Sequence, residues 1–194
     1  MSSHLENASA VVVGTSWGGV EALSIILRKL PADFPLPVII VQHQHPNSDD
    51  ILSLILRKRA LLFVKEAEEK ELLMPGTVYI APANYHLLIE LDKTLSFSNE
   101  APYNYSRPSI DLMFKSAVDV YGSGLIGIVL TGANDDGAMG LKMIKEFGGM
   151  TLVQEPSTAT MDSMPLAAIE ASPVDYIVPL DEIAPLLVEL VSGS

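Results

Sequence analysis

The chain has 194 residues and no cysteine. That absence excludes disulfides, thiolate nucleophiles and zinc–thiolate centres. Basic residues are also scarce: twelve Lys plus Arg stand against twenty-four Asp plus Glu, a formal charge of −12. So acidic a chain is repelled by phosphate backbones and anionic lipid, and no nucleic-acid partner is expected. The one dense basic run, Arg57-Lys58-Arg59, closes a predicted helix, where cations suit the negative end of the dipole. No apolar run approaches the roughly eighteen residues of a membrane span, so no direct membrane insertion is expected. The lead, residues 1–9, is polar and read as mobile. It shows neither the basic segment nor the apolar core of a secretory signal, and a cytoplasmic location is the expectation.

What the chain does have is apolar residues, 48% of the total, enough for a sizeable core. Residues 10–194 read as a single domain, with short connections marked by Pro and Gly. Continuous β-branched runs such as Val11-Val12-Val13, Val38-Ile39-Ile40-Val41 and Leu125 to Leu130 suit strands covered on both faces. They alternate with amphipathic helical stretches, Val20 to Leu30, Ser109 to Val120 and Ala138 to Phe147 among them. Another helix is expected after a cap at Asn47 or Ser48, and Lys65 to Lys70 reads as a solvated, charged segment. Short runs around Asp92-Lys93, His86 to Glu90 and Thr94 to Ser98, predict an antiparallel hairpin. The fold class that follows is α/β: a doubly wound, mostly parallel sheet with helices on both faces and a small antiparallel flank.

Gly14-Thr15-Ser16-Trp17-Gly18 joins the first strand to the first helix and spells G-x-S-x-G, the turn that presents a nucleophilic serine beside a helix N-terminus. The plain alternative is a serine that merely fits a tight turn. A dinucleotide loop fits poorly, because Ser16 replaces the middle glycine of G-x-G-x-x-G and the second strand runs into His43, not an acidic residue. In an open parallel sheet, ligands sit beyond the carboxyl ends of the strands. There the chain brings Ser16, His43 and the pair Asp135-Asp136, the residue types of a nucleophile, its base and an orienting acid. His45 competes with His43, which strand-end placement favours, and spacing alone does not separate Asp135 from Asp136. His86 reads as structural or cleft-lining.

Taken in order, these motifs resemble the C-terminal catalytic domain of CheB, the chemotaxis-receptor protein-glutamate methylesterase. The resemblance runs from Val11 to about Leu187. It rests on Gly14-Thr15-Ser16-Trp17-Gly18-Gly19, Val41-Gln42-His43, Pro75-Gly76-Thr77-Val78-Tyr79-Ile80-Ala81-Pro82 with His86, Arg107-Pro108-Ser109-Ile110-Asp111, Leu130-Thr131-Gly132 with Asp136-Gly137-Ala138, and Met164-Pro165. It implies a nucleophile at Ser16, a general base at His43 and an orienting acid at Asp136. It places Thr15, Trp17, Gly18, Ala133 and Asn134 around the substrate and oxyanion. The implied reaction is hydrolysis of glutamyl methyl esters on a methylated chemoreceptor-like protein, with the related glutamine deamidation, and it calls for no metal or organic cofactor.

Three departures stand out. Trp17 follows the nucleophile where the family usually has a small hydroxyl residue, Ala133 takes the place of a methionine, and Gln44-His45 alters the histidine loop. The family's regulated members also carry a receiver domain, and this sequence begins almost at the first catalytic strand. Either the enzyme stands alone, or regulation comes from another chain, a separate receiver or other signalling protein. The alternatives are the same triad acting on another protein or small-molecule ester, and a non-catalytic signalling scaffold that keeps the fold.

Overall fold

The computed structural model describes residues 8–45 and 51–192, so the expected cap at Asn47 or Ser48 lies outside the described residues. The strands are β1 (Ala10–Thr15), β2 (Val38–Gln42), β3 (Phe63–Glu66), β4 (Thr77–Ile80), β5 (His86–Ile89), β6 (Leu95–Ser98), β7 (Leu125–Val129), β8 (Met150–Gln154) and β9 (Tyr176–Val178). The helices are α1 (Gly19–Lys29), α2 (Ile51–Arg57), α3 (Ile110–Tyr121), α4 (Ala138–Glu146), α5 (Ser163–Ala171) and α6 (Ile183–Ser192). Seven strands form one sheet in the order β3-β4-β2-β1-β7-β8-β9, every pair parallel, and β5 and β6 form the antiparallel hairpin. None of the described helices is long and apolar enough to cross a membrane.

The period of two along a strand sorts its side chains between two cores. Val11 and Val13 of β1 point to the layer of α1, α2 and α6, where Leu23, Leu27, Leu56 and Leu187 pack. Ala10 and Val12 point the other way, to α3, α4, α5 and the hairpin, against Phe114, Leu141, Met164 and Leu87. With both faces covered, β1, β2 and β7 are buried at every position, which is why they read as unbroken apolar runs.

Lys65 and Glu66, expected in a solvated segment, belong to β3 and pair with Tyr79 and Ile80 of β4. An edge strand tolerates charge because one side of it faces water. There Lys65 Nζ bridges Glu68 and Glu71, each at 2.7 Å.

The chain leaves β1 for β2 on one side and later returns to lay β7 on the other. The crevice beyond the carboxyl ends of β2, β1 and β7 is therefore the switch point of the sheet. Ile110, at the start of α3, closes the crevice from below. A Cβ at Gly14 would overlap its Cγ2 and stand 3.0 Å from its Cδ1, and a Cβ at Gly137 would stand 2.7 Å from the same Cγ2. Both glycines exist to let Ile110 in. Gly14→Ala is expected to destabilise the fold by about 1–3 kcal/mol through overpacking. Urea unfolding checks this, and an unchanged midpoint would contradict the close fit.

Candidate active site

Thr15 and Gln42 are register partners in β1 and β2, so Ser16 and His43 leave the sheet side by side, strands in such a sheet lying roughly 4.8 Å apart. The His43 amide still donates to Thr15 O at 3.0 Å. The Gln42 amide then ties the two loops: its Nε2 donates to Ser16 O and to His43 O, both at 2.8 Å. A Cβ at Gly19 would overlap Gln42 Oε1, so glycine there leaves room for this tie. The turn closes as Gly19 N–H donates to Ser16 O at 2.9 Å, and Gly18 adopts the left-handed conformation, φ 81°, as the N-cap of α1. Ser16 is half-buried and immediately precedes that helix start, whose first N–H groups have no intrahelical acceptor.

Thr131, after β7, joins three loops. Its carbonyl accepts from Ser16 N–H at 3.0 Å and from Thr15 Oγ1 at 2.8 Å. Its N–H donates to Gln154 Oε1 at 2.9 Å. Its hydroxyl donates to Trp17 O at 2.9 Å and accepts from Met161 N–H at 2.9 Å. Gly132 continues the link, its N–H donating to Met161 O and its carbonyl accepting from Met164 N–H.

The imidazole of His43 meets a carboxylate, its Nε2 lying 2.7 Å from Asp136 Oδ2. A carboxylate only accepts, so Nε2 carries the proton and Nδ1 keeps its lone pair in the neutral ring. Asp136 is fully buried at the start of α3. Its oxygens accept from Ser109 Oγ (3.0 Å), Ile110 N–H (2.8 Å) and Asp111 N–H (3.0 Å), so the open end of one helix holds the acid still. Asp111 returns the service to α4, its Oδ1 accepting from Gly137 N–H at 3.0 Å and Gly140 N–H at 2.7 Å. The two helix starts are thus capped by each other's carboxylates. Burial pushes the Asp111 carboxyl up to about 6, with the neighbouring charge of Asp136 acting in the same direction. Its Oδ2 is buried with no partner among the described residues.

The fold thus brings Ser16, His43 and Asp136 to one crevice and separates them from the rival residues. Asp135 is exposed, Asp136 buried; His45 is exposed, past the strand end. His86 is buried, its Nδ1 accepting from Ser109 N–H at 3.1 Å and its Nε2 lying 3.2 Å from Ala101 O, a brace for the residues that hold Asp136. Among the five residues expected around the substrate, Thr15 is fully buried and its hydroxyl is spent on Thr131, so it supports the turn from beneath. Trp17 is 68% exposed on the rim, Gly18 shapes the turn and Ala133 is exposed. Asn134 lies beside the imidazole, with Nδ2 3.4 Å from His43 Nδ1 and Oδ1 accepting from Asp136 N–H at 3.3 Å.

Gln42, Thr131, Gln154, Ser109 and the acid role of Asp111 escape sequence reading. Gln42 and Gln154 are hinted at only as polar residues at strand ends, and Ser109 and Asp111 only as residues of a helix start. A cavity of about 270 Å³ opens beside His43, lined by Gln44, Asn84, Pro102, Tyr105, Ser106 and Arg107. The Arg107 guanidinium is anchored to Asn84 Oδ1 and to the carbonyls of Asn99 and Glu100. No cluster of three potential metal ligands occurs among the described residues.

A family model described as CheB methylesterase matches residues 11–187. A Leptospira interrogans protein named "Putative protein-glutamate methylesterase/protein-glutamine glutaminase" is 53% identical over 184 residues, covering 95% of each chain. An Archaeoglobus fulgidus protein-glutamate methylesterase/protein-glutamine glutaminase is 38% identical over 177 residues, which are 90% of this chain and 51% of that one. The chain therefore spans nearly all of the first relative and about half of the second. The crystal structure of the Thermotoga maritima CheB methylesterase catalytic domain superposes with a TM-score of 0.91 at 35% identity, covering 95% of this chain and 99% of that one.

Because the Asp111 carboxyl titrates near 6 when folded and near 3.8 in its ordinary state, the folded chain binds more protons between those values. Stability attributable to this group is then fully present below about pH 4 and falls as pH rises through 6. Asp111→Asn keeps the Oδ1 acceptor and removes the charge. It is expected to be more stable than the parent above pH 6, by on the order of 2 kcal/mol, with the gap closing near pH 4. Urea unfolding at pH 4.5 and 7.5 measures it, and an equal gap at both would contradict the assignment.

Proposed function

The chain belongs to the CheB methylesterase family, and from that membership we propose that it hydrolyses glutamyl methyl esters on a chemoreceptor-like protein, and glutamine amides by the same route. Ser16 is the nucleophile, His43 the base and Asp136 the orienting acid. The observation that carries this reading is the 2.7 Å bond from His43 Nε2 to a buried, three-times-capped Asp136, with Ser16 just past the end of the adjoining strand.

The Ser16 hydroxyl gives its proton to His43 Nδ1 as Oγ attacks the ester carbonyl. Negative charge develops on the carbonyl oxygen, and in this reading the backbone N–H groups of Trp17 and Ala133 are its donors. The proton on Nδ1 then passes to the departing methoxide, and methanol leaves an acyl-enzyme on Ser16. Water, deprotonated by Nδ1, splits that ester and returns the proton to Oγ, leaving a glutamate carboxylate. Asp136 stabilises the imidazolium in both halves. Ala133 supplies its N–H without a covering side chain. Trp17, standing exposed at the mouth, favours a second reading in which the same triad acts on a different ester.

Methanol release from methylated chemoreceptor membranes is expected from the parent chain and absent with Ser16→Ala. Full activity in that variant would remove Ser16 from the mechanism. Asp136→Asn is expected to lower kcat by about 10⁴ through the wrong imidazole tautomer. It also weakens the caps of α3, at about 1.5–3 kcal/mol for a charge-assisted bond, so the rate is measured on protein shown to be folded. No release from receptor, with labelling of Ser16 by a fluorophosphonate, would select the second reading; no labelling of folded protein would select a scaffold.

A further inference from the structure

The few basic residues of this chain are not scattered. Arg28, Lys29, Arg57, Lys58 and Arg59, five of its twelve, stand where α1 and α2 end. The helix dipoles account for each of them singly. They do not account for cations facing one another across a shared groove of about 330 Å³, whose walls are Glu21, Ser24, Ile25 and Arg28 of α1 and Lys58 and Arg59 beyond α2. Glu21, the one carboxylate lining the groove among the described residues, is taken by Arg59 at 3.1 Å. Arg57 lies over the Phe63 ring at 4.9 Å and Lys29 donates to Asp181 O at 2.6 Å. Arg28 and Lys58 have no hydrogen-bond or ionic partner among the described residues. Two cations without a partner among the described residues thus face solvent in one groove of a chain with a charge of −12.

The groove begins at Glu21, five residues after Ser16, and Glu21, Ile25 and Arg28 share one helix face. At 1.5 Å per residue it extends about 10 Å along α1 from the edge of the candidate active site. We propose that it docks a carboxylate-bearing segment of the substrate protein close to the side chain being hydrolysed, an inference that rests on the function proposed above. Ester hydrolysis and glutamine deamidation both end in a glutamate, so each turnover makes the substrate surface more acidic. Two acidic partners repel one another unless a local patch of opposite sign meets the approach. Arg28 offers a fork to a carboxylate and Lys58 a point charge beside it. Both are exposed, so the attraction acts on association and fades as salt rises.

The test compares Arg28→Glu/Lys58→Glu with Lys115→Glu/Lys142→Glu, which makes the same change in net charge on α3 and α4, across the sheet. Substrates are methylated receptor in phosphatidylcholine nanodiscs, the same receptor in phosphatidylserine-containing nanodiscs, and a small ester, p-nitrophenyl acetate. The groove variant is expected to lose about tenfold in kcat/KM on receptor at low salt, mostly through KM, in both lipids. The loss should shrink toward nothing at 0.5 M salt, with the small-ester rate kept. Equal losses in the two variants would reduce the effect to net charge and overturn the proposal. A loss confined to phosphatidylserine would assign the groove to lipid and overturn it too. If the parent releases no methanol from receptor while cleaving the small ester, the proposed function fails; if it does release methanol and the groove variant matches it at every salt, only the docking proposal fails.

Discussion

The bond between His43 and Asp136 is the constraint from which the rest of this crevice follows. A base of this kind must present one nitrogen to the reacting hydroxyl, and only the partner of its other nitrogen can fix which. The fold meets that need by burying Asp136 and giving its oxygens three donors from the start of α3 in addition to the imidazole. The acid cannot turn without breaking the caps of a helix. Ile110, which contributes one of those donors, is itself wedged between Gly14 and Gly137, so the position of Asp136 is referred back to β1, the strand that delivers Ser16.

A second set of bonds does the same for Ser16, the proposed nucleophile. Thr131 holds Ser16 through its carbonyl and Trp17 through its hydroxyl, and Gln154 fixes Thr131 from β8. Gln42 joins the Ser16 and His43 loops across the β1–β2 gap. These are buried or half-buried polar groups that, apart from Gln42 Oε1, have their partners among the described residues, the arrangement in which hydrogen bonds rigidify a site. Geometry needed within fractions of an ångström is thereby set before any substrate arrives.

Much of this was legible in the chain. Continuous apolar runs marked β1, β2 and β7 because strands covered on both faces need no polar positions, and the small-residue turns after them marked where the site would lie. The choice between Asp135 and Asp136 was not legible from spacing, since both sit in one loop and only burial separates them. Nor was the work of Asp111 or Gln42, whose partners are remote in sequence: Asp111 reaches Gly140, twenty-nine residues away, and Gln42 reaches Ser16, twenty-six away. Lys65 and Glu66 misread as solvated because their charge signals exposure but not the edge pairing that exposure permits. Asn134 is expected around the substrate and oxyanion; that its amide bridges the imidazole and the Asp136 backbone N–H depends on a side-chain rotation no pattern encodes.

The reciprocal capping of α3 and α4 shows how far the fold subordinates stability to this alignment. A helix start needs a cap, and serine or asparagine at the boundary would supply one without a buried charge. Here α4 is capped across the crevice by Asp111, with one oxygen unpartnered among the described residues and its carboxyl driven up to about 6 beside a second acid. A local cap would hold α4 but leave its spacing from α3 to the Asp136 bonds and side-chain packing. The exchange instead locks the two helix starts to each other through backbone bonds in both directions, and Asp136 lies at that junction. An unfavourable buried carboxylate persists in a fold when the geometry it enforces is worth more than the stability it removes. The geometry enforced here is the direction in which His43 points.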